Sequence, residues 1–280
     1  MEIVDAHLHL WSPGSPGHVW PTPADGSLHR NFDVATLRHE AGALNLSAAV
    51  LVQAQPNDAG TEWLLAVADR EPLIAAVVGW VDLASPVAPD RIALLAQHQR
   101  MRGLRPMLQA MEDDDWLLRA DLSPAIEAMI AHGLSLDALV ETRHLPMLAR
   151  FADNWPDLPI VIDHAAKPSV EHGEIDPWRD HIAALGKRGL YSKLSGLRTE
   201  QAADSPANAL APYVEHLLAH FDGRLMWGSD WPVLNRSGSS YEQWAEDARN
   251  LSGLDEARQQ SLFSRCARHF YRIDIAGEAV

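Results

Sequence analysis

IVDAHLHL, residues 3–10, stands almost at the start of the chain and reads as a β-strand. Side chains alternate faces along a strand, so His7 and His9 point one way, with Asp5 behind them, while Leu8 and Leu10 point the other. The run is largely apolar, as expected where both faces are covered. Seven more runs of this kind follow: AAVLVQA at 48–54, IAAVVGWVDL at 74–83, MRGLRPML at 101–108, LSLDALV at 134–140, IVIDHAA at 160–166, YSKLSGL at 191–197 and LMWGSDWPV at 225–233.

Between them lie segments with apolar residues at helical spacing. DVATLRHEAGALN, TEWLLAVADRE, PDRIALLAQHQR and SPAIEAMIAHG are four; LPMLARFADNW, WRDHIAALGKRG and ANALAPYVEHLLAHF are three more. DEARQQSLFSRCARHFY forms a final helix. Eight strands alternating with helices predict an α/β fold, a (β/α)8 or TIM barrel. With no linker, repeat or low-complexity block, residues 1–280 read as one domain. The rival, an open doubly wound sheet, would carry a GxGxxG loop after its first strand, and none follows here.

Composition narrows the function. The 280 residues hold 23 basic and 38 acidic side chains, a net charge of −15. That balance argues against nucleic acid and against an anionic membrane surface as partners. Cys266 is the single cysteine, so neither an intrachain disulfide nor a cysteine-based metal site can form. No apolar run is long enough for a membrane span, and the first residues carry no basic leader, so a cytoplasmic location is expected.

Barrel active sites gather where the strands end at their C-terminal side. Strand one brings His7 and His9 there, strand four Arg105, strand six His164 and strand eight Asp230. Buried polar groups are expensive without partners, so their convergence on one axis points to chemistry. Each alone has a plain structural reading: a satisfied core histidine for His164, a turn aspartate ahead of Trp231-Pro232 for Asp230. Residues 12–33, SPGSPGHVWPTPADGSLHRNFD, form a long aperiodic loop after strand one. Loops of this length in a compact domain are usually functional, and this one would cover the catalytic face. Trp20 and Arg30 are its candidates for substrate contact, with loop anchoring as the alternative.

These motifs resemble the amidohydrolase superfamily, in its amidohydrolase-2 branch. DAHLHLW, AAVLVQA, VVGWVDL, GLRPML, IDHAAKP and GSDWPV are similar to the sugar-lactonase subgroup of the L-fuconolactonase and L-rhamnonolactonase kind. The resemblance spans essentially the whole chain. It implies catalytic roles for His7, His9, His164 and Asp230. The same four would hold one divalent metal, zinc being suited to nitrogen and oxygen ligands but not required by the chemistry. No lysine ends strand four to bridge two metals, since Arg105 stands there, and strand five offers Asp137 but no histidine. A two-metal site is therefore not expected.

The implied reaction is opening of an aldonolactone by water that Asp230 activates, with the histidines and Arg105 stabilising the oxyanion. The implied partner is a small sugar lactone, the enzyme being a monomer or homodimer. Arg105, Gln53, Trp20, Arg30, Lys167 and Trp231 are the candidate substrate-binding residues. Gln55, Lys193, Ser195 and Arg198 are further candidates near the pocket. Asp5 is expected to orient the first imidazole, and Asp163 to face away from the site. The competing readings are a metal-dependent decarboxylase of an aromatic or related acid, a pyrone-dicarboxylate-type lactonase and a non-catalytic binding barrel.

Overall fold

The computed structural model describes residues 1–202 and 205–274. Eight short strands are present: β1 Ile3–Leu8, β2 Leu46–Val52, β3 Ile74–Gly79, β4 Met101–Leu104, β5 Ser135–Ala138, β6 Ile160–Ile162, β7 Tyr191–Leu194 and β8 Leu225–Trp227. All neighbours pair in parallel, in the order β1 to β8. The two ends of the sheet meet just past β8. His9 N donates to Trp231 O (2.7 Å) and Asp230 N to His7 O (2.8 Å). The architecture is that of a (β/α)8 barrel.

Helices cover the outside: α1 Val34–Ala41, α2 Asp58–Arg70, α3 Ala88–Leu95, α4 Ser123–Ala131, α5 Leu145–Asn154, α6 Trp178–Lys187 and α7 Ala211–His220. Their apolar residues recur at helical spacing and bury one face, as Leu145, Leu148, Phe151 and Ala152 do on α5. An eighth helix, α8 Tyr241–Ser252, adds to those the periodicity predicts. Its signals were nonetheless present: Ser240 caps it, Gly253 follows it in the left-handed conformation, and Tyr241, Trp244, Ala245 and Ala248 form its buried stripe. The expected final helix is broken in two. α9 Glu256–Gln260 passes through a π-turn at Ser261–Arg265 into α10 Cys266–Tyr271.

Two apolar layers result. One lies between sheet and helices. The other fills the barrel with Val4, Ala6, Val50, Val52, Ala76, Val78, Val161 and Met226, against which Ala267, Phe270 and Tyr271 of α10 pack. This inner layer exposes a departure from strict alternation. Val4 and Ala6 face inward, so Asp5 faces the helices, yet His7 is again directed inward. The register shift that the β1–β2 pairing shows between Asp5 and Leu8 is the cause: an extra residue in one strand reverses the phase beyond it.

Candidate active site

The strands end early, and what matters chemically sits just beyond them. His164 and Asp230 both adopt left-handed backbone, with φ of 52° and 56°. The left-handed run continues through Ala165, Ala166 and Lys167. For residues with a Cβ this conformation costs about 1–2 kcal/mol each, and such strain clusters at functional sites. Gly196 (φ 67°) and Gly228 make room for the two imidazoles at the barrel wall. A Cβ on Gly196 would stand 2.6 Å from His164 Cγ, and one on Gly228 would stand 2.8 Å from His7 Cβ. Gly196→Ala is therefore expected to displace the His164 ring and to cost about 1–3 kcal/mol of stability. Urea unfolding together with turnover checks this; unchanged stability would show that the ring can yield.

His7 is fully buried, and His9, His164 and Asp230 are each 4 % exposed. Around Asp230 Oδ1 lie His9 Nε2 at 3.4 Å, His7 Nε2 at 3.8 Å and His164 Nε2 at 3.8 Å. The Nε2 atoms of His7 and His9 are 3.3 Å apart. His9 Nδ1 lies 2.8 Å from Val52 O and donates to it, which leaves the Nε2 lone pair facing the carboxylate. Lone pair against carboxylate is repulsive unless a proton or a metal cation lies between them. His7, His9 and Asp230 offer one ligand atom each within a span that a single ion can bridge, and this donor set suits zinc. His164, whose Nδ1 is 2.9 Å from Ser195 Oγ, stands on the other side of Asp230 as a fourth group.

Electrostatics follow from burial and neighbours. Burial, then the Lys193 ammonium, pushes His7 well below the usual imidazole range; burial likewise pushes His164 down to about 4. Burial alone would raise Asp230, but His164, His9 and His7 outweigh it and hold the carboxyl below its ordinary range. The site thus presents an ionised Asp230 carboxylate beside the His7 and His164 rings, which burial keeps neutral.

These groups open onto a cavity of about 440 Å³. His9, Arg105, Gln109, His164, Lys167, Thr199, Asp230 and Arg236 supply its polar side, and Val19, Trp20, Ala54, Pro56, Met107, Leu139 and Val233 its apolar side. Trp20 is held there by its loop. Gln55 Oε1 accepts from Val19 N (2.8 Å) and Trp20 N (3.1 Å), its amide donates to Trp20 O, and Trp20 Nε1 donates to Asp25 (3.2 Å). Arg236 reaches the same Asp25 at 2.8 Å, so loop 12–33 is clasped to the segment after β8. Nothing in the sequence marked Arg236. Lys167 lines the cavity within 3.7 Å of Glu200.

Several expected contacts take another form. Arg30 is exposed, stacks over Phe32 at 4.4 Å and does not line the cavity. Trp231 is fully buried edge-to-face against Phe32, because its carbonyl is used in closing the barrel and its ring is turned into the core. Gln53 is also fully buried and points along the wall, its amide donating to Arg105 O at 2.8 Å. Arg198 lies in the adjoining chamber, donating to Ser239 Oγ at 3.0 Å.

Asp5, on the outer face, accepts from His7 N (3.0 Å), Ser229 N (2.9 Å) and Tyr241 OH (2.8 Å), and burial pushes it up to about 6. It ties β1 to the turn after β8 and does not touch the His7 ring. Asp163 faces inward, against expectation. Val161 and Asp163 share the inner face, and the left-handed turn that follows swings His164 back to the same side. Beneath His7, Asp163 meets Lys193, whose ammonium is 2.9 Å from Asp163 Oδ1 and 2.6 Å from Asp137 Oδ2.

A barrel with a buried carboxylate, paired strand-one imidazoles and a ring-sized cavity at its C-terminal face has the form of a hydrolase that activates water. The chain belongs to the amidohydrolase family, whose pattern matches residues 4–273. It is 41% identical over 278 residues to an L-fucono-1,5-lactonase of Burkholderia ambifaria, covering 97% of this chain and 96% of that one. An L-fucono-1,5-lactonase of Burkholderia multivorans is 31% identical, covering 99% and 98%. A crystal structure of an amidohydrolase from Burkholderia multivorans with bound zinc superposes with a TM-score of 0.90 at 29% identity, covering 98% of this chain and all of that one.

Proposed function

We propose that this protein hydrolyses an aldonolactone of the L-fuconolactone class to the free aldonate. The observation that carries the reading is Asp230: an ionised carboxylate held among three imidazoles at the floor of a cavity that sits at the small end of the roughly 300–1,000 Å³ range of ligand sites. Two lactonase relatives that match nearly the full chain support it.

In this mechanism Asp230 accepts a proton from water, which adds to the ring carbonyl. Arg105 lines the cavity beside Asp230 and His164 and is the cation assigned to the developing oxyanion. The tetrahedral adduct collapses with cleavage of the ring C–O bond, and Asp230 returns its proton to the departing alkoxide. When bound by His7, His9, Asp230 and His164, a zinc ion would supply a Lewis acid at the same place. The apolar wall of Trp20, Met107 and Leu139 suits the carbon face of a sugar ring, and the opposite wall suits its hydroxyls.

Among the described residues each cavity cation already faces a carboxylate, Arg105 Asp163 at 3.4 Å, Lys167 Glu200 at 3.7 Å and Arg236 Asp25 at 2.8 Å; this favours a neutral lactone over a dicarboxylate. The reading keeps a single barrel domain acting in the cytoplasm, as a monomer or homodimer, in keeping with one buried cysteine and no described helix long and apolar enough to cross a membrane.

The test is acid release from a panel of aldonolactones, L-fucono- and L-rhamnonolactone among them, followed with a pH indicator before and after chelation. Release from at least one lactone is expected. Survival after chelation would assign the oxyanion to Arg105, whereas loss restored by zinc would assign the imidazoles as ligands. No release from any lactone would overturn the proposal.

A further inference from the structure

Gln55 stands between two residues of the cavity wall without belonging to it. Ala54 and Pro56 line the cavity; Gln55 does not. Its side chain is buried, 4 % exposed, and reaches instead into loop 12–33. There Oε1 accepts from Val19 N at 2.8 Å and Trp20 N at 3.1 Å, while Nε2 donates to Trp20 O. One side-chain amide thus supplies the donor and the acceptor that a neighbouring strand would otherwise provide. Among the described residues no other hydrogen bond reaches the backbone of Val19 or Trp20.

The contact is specific to an amide. Glutamine offers both a donor and an acceptor; glutamate has no donor, and leucine has neither. Room for it is built into the next helix. A Cβ on Gly60, in the first turn of α2, would stand 2.6 Å from Gln55 Cβ, so a bare glycine leaves the space that the Gln55 stem needs. Asn57 extends the seam by donating to Gly17 O at 2.7 Å. The Trp20 ring depends on this anchor. Its ring packs edge-to-face on the buried Trp11, with centroids 4.9 Å apart, and its Nε1 reaches Asp25 at 3.2 Å. Those contacts set the tilt of the ring. How far the ring projects over the cavity follows from where its backbone sits, and Gln55 holds that backbone.

We propose that Gln55 is a positioning residue: it does not touch the lactone but fixes Trp20, the aromatic wall against which the lactone ring lies. The inference deepens the lactonase reading and rests on it for its kinetic test. It assigns to Gln55 the recognition of an apolar ring face, exerted through Trp20.

Two measurements test it. The first needs neither lactone nor variant: amide hydrogen exchange of the unaltered, ¹⁵N-labelled protein followed by NMR. The Val19 and Trp20 N–H groups are expected to exchange at least about a hundredfold more slowly than in an unstructured peptide, although Val19 is 64 % exposed. Exchange at the unstructured rate would overturn the proposal. The second is a double-mutant cycle on the aldonolactone that the unaltered protein opens fastest. Gln55→Leu is expected to raise KM about tenfold and to change kcat by less than about threefold, the pattern of lost binding shared by ground and transition states. Gln55→Glu, which keeps the size and the acceptor but loses the donor to Trp20 O, is expected to move KM the same way and replaces the leucine variant if that one does not fold. In a Trp20→Ala background either substitution is expected to change KM by less than about twofold, because the group it acts through is gone. Effects that multiply across the cycle, or an unchanged KM in the Gln55 variants, would overturn the proposal. No turnover by the unaltered protein would instead overturn the lactonase reading, and the exchange measurement would still decide whether Gln55 holds the loop.

Discussion

Asp230→Asn is expected to lower kcat by about 10²–10⁴-fold, the range over which a positioned general base or acid contributes. The substitution leaves the residue's size intact. It also leaves the backbone intact, because asparagine adopts the left-handed conformation that Asp230 occupies at φ 56° more readily than most residues. The fold should therefore survive with little change in melting temperature. What disappears is the ionised oxygen that three imidazoles surround at 3.4–3.8 Å, and with it the acceptor for the proton of water. Acid release at saturating lactone reads the loss. A rate within tenfold of the unaltered protein would mean that another group takes the proton.

The second large effect is on stability. Lys193→Met leaves Asp137 and Asp163 facing each other across the barrel without the ammonium that now stands 2.6 and 2.9 Å from them. Breaking a buried pair by removing one partner costs about 3–5 kcal/mol, because an uncompensated charge remains in a dry interior. For a chain of this size that corresponds to a fall in melting temperature of roughly 6–20 °C. Adding Asp137→Leu should recover part of the loss, since it removes one of the stranded carboxylates. The recovery stays partial because Asp163 keeps only the more distant Arg105 and His7, at 3.4 and 3.3 Å. Thermal unfolding of the single and double variants measures both effects. A single variant as stable as the parent would show that one carboxylate takes up a proton without strain.

The convergence of the candidate catalytic groups was legible for a simple reason. Strand ends of a parallel barrel converge by geometry, so a polar residue at the end of each apolar run must reach the same face, whatever the helices do. His7, His9, Arg105, His164 and Asp230 all meet that condition, and all lie together. Asp5 and Asp163 failed the same logic for one physical reason. Alternation holds only while the backbone stays extended and in register. The bulge in β1 returns His7 to the inner face occupied by Ala6, and the left-handed run from His164 to Lys167 turns His164 back beside Asp163. Neither irregularity leaves a glycine or proline at the point where it occurs.

Trp231 and Gln53 show a different gap. An aromatic or amide at a strand end serves equally well in a wall or in a pocket, and only the neighbouring elements decide. Phe32, brought in by the loop after β1, takes the Trp231 ring, and Arg105 O takes the Gln53 amide. Arg236 entered the cavity for the converse reason: its loop is fastened by Asp25, more than 200 residues away in sequence. Periodicity and residue type by themselves determined the barrel and the polar groups that converge at the C-terminal ends of its strands, because these depend on local phase and chain order. The tertiary structure alone decided which polar residues line the cavity and which brace the wall. Those outcomes depend on contacts between distant segments and on breaks in phase that burial, rather than local sequence, selects.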